Sequence, residues 1–268
     1  MSNSPILQGK YAIVFGAGGS IGAAVAKEFA SAGAEVFLSG RNQSNVEAVT
    51  RQITAAGGRA HSAVIDALDD KAVNQYIDGI ATQTGSIDIV FNAVGPLVHE
   101  YGNTKNATDL AIEEFMVPVT TVLKSQFITA RAAARHMVTQ RSGVIIFLTG
   151  SPARGHVPGA TAIGAAFGAI ESLMENLAVE VSPAGVRAVC LRTTANTDSR
   201  TIQETVEALA SKVHITKDQA MAGMANLNFL KRPASVSDTA RAAVLLASEH
   251  ARMMTGTVVN STAGAAAD

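Results

Sequence analysis

The sequence predicts an α/β fold of the Rossmann type, in which helices cover both faces of one doubly wound parallel sheet of about seven strands. Short apolar runs typical of buried strands alternate with helix-like segments along the whole chain. A glycine-rich turn joins the first strand to the first helix. Hydrophobic residues make up 47% of the 268 residues and charged residues 16%, enough for a large core. No linker divides the chain, so a single domain over 1–268 is expected.

Each element is predicted from an apolar run or a helical period that ends at a glycine, proline or polar turn. The predicted strands are 11–15, 35–39, 61–65, 87–91, 143–148, 186–191 and 257–260. The predicted helices are 21–32, 44–56, 71–82, 108–139, 161–181 and 237–248. Pro118 is expected to break or kink the fourth helix, because proline lacks the N–H that an interior turn needs.

The least regular segment, 195–230, is predicted to form helices packed over one edge of the sheet as a substrate lid. It contains four large apolar residues, Met221, Met224, Leu227 and Phe229. Simple packing of these residues into the core is the alternative interpretation.

Composition restricts the class of function. The net charge of −1 argues against nucleic acid or an anionic membrane surface as a partner. The one cysteine, Cys190, lies in an apolar run, so no disulfide framework is expected and a cytoplasmic location fits. No signal peptide, membrane span or metal-ligand spacing is recognisable. A small-molecule substrate is therefore expected.

The turn after the first strand has the composition of a phosphate site. It runs from Gly16 through Ala17 to Gly18, Gly19, Ser20, Ile21 and Gly22. Such a turn exposes backbone N–H groups at the positive end of a helix dipole, where a phosphate or pyrophosphate binds. Gly16 permits the tight turn, and Gly22 allows the helix to pack closely on the sheet.

Parallel strands bring their carboxyl ends to one edge of the sheet, so the residues that follow each strand should line one ligand site. These residues are the glycine turn, Arg41, Asp66, 92–95, 149–156 and 193–198. A carboxylate after the second strand would bind the 2′-hydroxyl of NAD, and a cation would bind the 2′-phosphate of NADP. The chain offers Arg41 and no acid there, which favours NADP(H).

Together these motifs resemble the short-chain dehydrogenase/reductase family over nearly the whole chain. The matching pieces are GAGGSIG at 16–22, Asp66, NAVG at 92–95, GVR at 185–187, KRPASVSDTARAAVLLAS at 231–248 and TGTVVN at 255–260. The resemblance implies that Asp66 holds the adenine amino group, and that Asn92, Ala93 and Gly95 line the adenine ribose. It also implies a homotetramer or homodimer. Turn capping by Asp66 and structural support by Asn92 and Gly95 are the alternatives.

The catalytic positions of the family are filled differently here. Alignment on 185–187 places Ile163 and Phe167 where the family has its tyrosine and lysine. Gly150 falls at the family serine, Val122 at or beside the asparagine, and Thr193-Thr194 at a proline-glycine pair. None of these side chains replaces the tyrosine–lysine proton relay, so the catalytic residues stay undetermined. Ser151 and His156 are weak candidates.

Three functions remain open from the sequence. The first is an oxidoreductase of this family with a non-standard proton donor or none, since hydride transfer needs mainly a positioned nicotinamide. The second is a non-redox enzyme on the same scaffold, such as a lyase, isomerase or cyclase. The third is a catalytically silent binding or regulatory homologue. Weak or absent cofactor binding is the alternative to the NADP(H) expectation.

Overall fold

A computed structural model describes residues 4–267 and confirms the fold class. Seven parallel strands form one sheet in the order β3-β2-β1-β4-β5-β6-β7. The strands are β1 (Tyr11–Phe15), β2 (Glu35–Gly40), β3 (Arg59–Val64), β4 (Ile89–Asn92), β5 (Gly143–Gly150), β6 (Val186–Thr193) and β7 (Thr257–Ser261). The chain leaves β1 towards β2 on one side and later returns to pair β4 on the other. This reversal opens a crevice above the carboxyl end of β1, which is where such sheets bind ligands.

The helices divide between the two faces of the sheet. They are α1 (Ser20–Ser31), α2 (Gln43–Ala55), α3 (Asp70–Thr84), α4 (Ile112–Pro118), α5 (Lys124–Gln140), α6 (Thr161–Val181), α7 (Arg200–Val213), α8 (Lys217–Leu227) and α9 (Val236–Ala247). Buried residues of α3, α5 and α6 form one hydrophobic cluster with the sheet, and those of α1, α2 and α9 form the other. The strands β1, β2, β4, β5 and β6 are therefore largely buried, which explains their apolar runs, whereas the edge strand β3 is mostly exposed.

The predicted helix over 108–139 is wrong in its first part. A short 3₁₀ turn occupies Ala107–Asp109, and α4 begins only at Ile112. Pro118 ends α4, and a π-helical turn over Val119–Leu123 leads into α5. Proline removes a backbone donor, so the chain changes its hydrogen-bond spacing instead of breaking. The remaining predicted helices and the strands differ from those observed by at most three residues at either end.

The segment predicted as a lid contains α7 and α8. Val206, Ala210 and Ala220 form a small buried cluster, against which Met221 and Met224 pack. Leu227 and Phe229 are instead 74% and 72% exposed. The apolar residues of this segment therefore divide between local packing and open surface, and Leu227 and Phe229 are not core residues.

One helix, α6 with the turn that follows it, is long and apolar enough to cross a membrane by length and composition. It lies along β5 and β6, and Ile163, Ile170 and Met174 are buried in the core. These contacts are those of a core helix. Across residues 4–267, no group of three or more His, Cys, Asp or Glu side chains forms a metal site.

Candidate functional site

The glycine turn folds as the sequence predicts, and backbone atoms pack closely around its first and last glycines. Gly16 has φ of +71°, and a Cβ there would lie 2.8 Å from the carbonyl carbon of Ala93. A Cβ on Gly22 would overlap the carbonyl of Gly16. Both positions therefore require glycine. Gly18 and Gly19 complete the turn, with the Gly19 N–H donating to the Gly16 carbonyl at 3.0 Å.

Ser20 and Ile21 begin α1 directly above this turn. No acidic side chain occupies the first turn of α1, and Gly19 provides no side-chain cap. The amino end of α1 is therefore left to its backbone donors, which suits an anion. The Ser20 hydroxyl accepts a hydrogen bond from the Arg200 N–H at 3.1 Å, so α7 begins beside the turn.

The side-chain contacts of Asn92, at the end of β4, are those of a structural residue. It is buried, and its amide nitrogen donates to Thr129 Oγ1 at 3.0 Å and Ser125 Oγ at 3.4 Å. Its Oδ1 accepts from the Val94 N–H at 2.8 Å. These bonds fix the backbone of 93–95 against Gly16. Gly95 is exposed, and a Cβ added there would meet nothing within 4 Å, which leaves room for a ligand.

The carboxyl end of β2 has the polarity expected for a 2′-phosphate site. The Arg41 side chain is exposed, and within residues 4–267 no acid neutralises it. Asn42 is committed to capping α2 through the Asn45 N–H. Ser39 is fully buried, and its Oγ has no hydrogen-bond partner in the described chain. Asp66, after β3, accepts from the Leu68 N–H at 3.0 Å through Oδ1, so its turn-capping role is present.

The residues predicted to stand at the family's catalytic positions pack together in an apolar environment. A Cβ on Gly150 would lie 2.9 Å from Cε2 of Phe167. Ile163, one turn before Phe167 on α6, is buried in the core cluster that Phe167 packs against, and Val122 belongs to the same cluster. The ring of Phe167 therefore occupies the space that a side chain at position 150 would need.

We expect Gly150→Ser alone to destabilise the protein by about 1–3 kcal/mol, the usual cost of overpacking a filled site. Combining Gly150→Ser with Phe167→Ala should recover much of that loss, because the ring is removed. Chemical denaturation of the two single variants and the double variant measures this coupling. Simple additivity of the two losses would show that Gly150 and Phe167 do not compete for space.

A buried ion pair that the sequence did not indicate joins α6 to β6 next to this position. Glu171 and Arg192 are each 1% exposed, and Arg192 Nε and Nη2 donate to the two carboxylate oxygens at 2.8 and 2.9 Å. Thr149 Oγ1 donates to Glu171 at 3.2 Å, and the half-exposed Arg154 reaches it at 3.4 Å. The spacing places Glu171 one turn beyond Phe167 on the same face of α6, but it does not indicate Arg192 as the partner.

Few polar groups near Gly150 are suited to proton transfer. Ser151 is buried, and its Oγ accepts from Thr194 Oγ1 at 3.5 Å. His156 is exposed on the following loop, with φ of +49°. Burial raises the pKa of the Cys190 thiol to about 12, so this thiol is not a nucleophile at neutral pH. The candidates Ser151 and His156 are not joined by any hydrogen bond across residues 4–267.

Known proteins similar to this chain decide its family. A family model described as enoyl-(acyl carrier protein) reductase matches residues 16–266. A short chain dehydrogenase of Pseudocercospora fijiensis is 32% identical over 190 residues, which are 69% of this chain and 59% of that protein. The chain belongs to the short-chain dehydrogenase/reductase family. It thus spans less than two thirds of the length of the Pseudocercospora fijiensis relative.

Two further proteins match over almost their whole length. An uncharacterized oxidoreductase of Mycobacterium tuberculosis is 29% identical, over 93% of this chain and 89% of that protein. The crystal structure of NAD⁺-bound xylitol dehydrogenase superposes with a TM-score of 0.87 at 25% identity, covering 95% of this chain and 98% of that one. In sequence and in fold, this short-chain dehydrogenase/reductase family member is therefore similar to known oxidoreductases.

One buried tyrosine of this family member lies outside the segments compared with the family's catalytic positions. Tyr101 is buried in the 3₁₀ turn after β4 and belongs to the same core cluster as Ile163. Burial, followed by the nearby Glu204 carboxylate, raises its pKa to about 12. This phenol stays protonated at neutral pH, so it can donate a hydrogen bond but cannot act as a base.

Proposed function

We propose that this chain is an NADP(H)-binding oxidoreductase whose site works without the tyrosine–lysine relay of its family. The observation that carries the cofactor preference is Arg41, an exposed cation at the end of β2 without an acidic partner in the described chain. A guanidinium matches the geometry and charge of a ribose 2′-phosphate, and a carboxylate that would select NAD is absent from 39–42.

The residues that would face the adenosine half of the cofactor are compatible with its binding. Gly16 and Gly22 leave no room for side chains, while a Cβ at Gly95 would meet nothing within 4 Å. The unpaired Ser39 hydroxyl supplies a further polar group at the end of β2. Asp66 retains its second carboxylate oxygen for the adenine amino group while the first caps the turn. We assign the phosphate and ribose contacts to Gly16, Gly18, Gly19, Ser20, Ile21, Gly22, Arg41, Ala93 and Gly95, with the Asn92 side chain holding the backbone of 93–95 in place.

The catalytic half differs because its side chains are apolar. The nicotinamide would supply or accept the hydride. Ile163 and Phe167 can shape a dry pocket and exclude water, but neither can hold a proton. Proton transfer to the substrate oxygen then falls to a group outside the usual relay, for which Ser151, His156 and Tyr101 are the candidates. A small carbonyl or alcohol handled in the cytoplasm is the substrate class we propose.

The second candidate function is a non-redox or catalytically silent role on the same frame. The observation that favours it is the packing of Phe167 against Gly150. An aromatic ring fills the space where the resemblance places two polar side chains of the family. Turnover without nicotinamide oxidation would support a lyase, isomerase or cyclase. Nucleotide binding without turnover of any carbonyl would support a binding or regulatory subunit.

We expect Arg41→Gln to weaken NADPH binding by about 10- to 150-fold, equivalent to the 1.5–3 kcal/mol of a hydrogen bond to a charged group. NADH binding should change by less than about twofold, because NADH has no 2′-phosphate. Fluorescence titration of the reduced nucleotides measures both affinities without requiring a substrate. Equal losses for both nucleotides would remove the case for NADP(H).

Arg59→Gln is the matched control for this experiment. Arg59 is also an exposed arginine on the same half of the sheet, but it stands at the opposite, amino end of β3 and pairs with Glu35 at 3.3 Å. Its replacement should leave both nucleotide affinities unchanged. A similar loss from Arg59→Gln would indicate a general effect of net charge.

A further inference from the structure

The amino end of α7 lies against the glycine turn, although the two are 180 residues apart in sequence. The backbone N–H of Arg200 donates to Ser20 Oγ at 3.1 Å. Ser20 and Arg200 are the first residues of α1 and α7, so the two helices begin at the same place. A glycine at this position of the turn would have no side chain to make such a contact.

The segment leading into α7 is fixed from the other side by α9. The Thr197 N–H donates to the Ala234 carbonyl at 3.0 Å, and the Val236 N–H donates to Asp198 Oδ1 at 2.8 Å. Thr239 Oγ1 donates to the buried Asn196 Oδ1 at 2.9 Å. These bonds fix the position where α7 starts. The contact between α7 and Ser20 is therefore supported on both sides by hydrogen bonds.

The Arg200 side chain is free to exchange its partner. It is 75% exposed and pairs with Glu204 one turn further along α7, with Nε and Oε1 2.7 Å apart. An exposed pair of this spacing is worth only about 0.3–0.5 kcal/mol. The turn from Gly16 to Gly22 contains no cation, whereas a pyrophosphate brings two negative charges to it. A guanidinium forms two charge-assisted hydrogen bonds with such a group.

We propose that Arg200 is a cofactor-binding residue: its guanidinium binds the pyrophosphate held by the glycine turn, and Ser20 fixes α7 in place to deliver it. This inference rests on the proposed function, because it assumes that a dinucleotide binds at the turn. It makes α7 part of the cofactor site as well as a cover for the substrate. Arg200 would serve NADH and NADPH equally, since both contain the pyrophosphate.

The test compares Arg200→Gln with Glu204→Gln by fluorescence titration of NADPH and NADH. We expect Arg200→Gln to weaken both nucleotides by about 10- to 100-fold, with their affinity ratio unchanged. Glu204→Gln removes the same ion pair but keeps the cation, so binding should stay equal or become slightly tighter. If Arg200 only stabilised α7, both variants would have the same effect, and the inference would be wrong.

Other outcomes separate this inference from the proposed function. Unchanged binding of both nucleotides by Arg200→Gln would overturn the inference alone. A loss confined to NADPH would also overturn it, because Arg200 would then contact the 2′-phosphate. Failure of the unaltered protein to bind either nucleotide would overturn the inference and the proposed function together.

Ser20→Ala provides an independent readout of the fixed position of α7. The variant keeps Arg200 but removes the acceptor of its N–H. We expect faster hydrogen exchange of the first amides of α7 in the protein without nucleotide, where a phosphate contact of Ser20 plays no part. Unchanged exchange would show that Ser20 does not hold α7 at the turn.

Discussion

Glu171→Ala is expected to destabilise the fold by about 3–5 kcal/mol, the usual result of removing one partner of a buried ion pair. Arg192 would keep its charge at 1% exposure after losing both carboxylate oxygens that its guanidinium contacts. Thr149 would lose an acceptor as well. For a chain of this length the melting temperature should fall by about 5–10 °C, which thermal unfolding followed by circular dichroism would measure.

Glu175→Ala is the matched control, because Glu175 lies one turn further along α6 and is exposed. Its loss should cost less than about 0.5 kcal/mol. Replacing both partners, Glu171→Leu with Arg192→Met, should recover most of the stability, since an apolar pair of similar volume removes the desolvation penalty. Equal melting temperatures for the Glu171→Ala and Glu175→Ala variants would contradict the assignment.

The strands and the glycine turn could be predicted because their signals are local. A strand covered on both faces must be an apolar run, and a turn whose Cβ positions collide with backbone must be glycine. The π-helical turn after Pro118 has no comparable signal, since it depends on how α4 and α5 pack. A proline indicates that the hydrogen bonding changes there, but not in which way.

The polar contacts of the site could not be predicted, because they join distant parts of the chain. The Glu171–Arg192 pair links α6 to β6, and the Ser20–Arg200 contact links the first helix to the seventh. Neither partner is unusual in its own segment. For the same reason Asn92 was assigned to either the cofactor or the scaffold, whereas its bonds to Ser125, Thr129 and Val94 place its side chain in the scaffold.

Building the family's tyrosine–lysine pair into this site is expected to raise its carbonyl reductase activity. In the triple variant Gly150→Ser, Ile163→Tyr and Phe167→Lys, NADPH-dependent reduction of a carbonyl panel should rise by about 10²–10⁴-fold, the range that a positioned general acid contributes. Removing the Phe167 ring also frees the space that a side chain at position 150 needs, because the ring lies 2.9 Å from the Cβ site. The measurement is nicotinamide oxidation at matched saturation with NADPH.

The control is the same triple variant with Ile163→Phe in place of Ile163→Tyr, which keeps the ring but lacks the hydroxyl. It should show no gain, since phenylalanine cannot donate a proton to the substrate oxygen. A gain in both variants would mean that the benefit comes from opening the pocket around Phe167. If the unaltered protein already reduced the same carbonyl as fast as the triple variant, a proton donor outside the relay would be sufficient. Tyr101, held protonated by burial, would then be the first residue to replace.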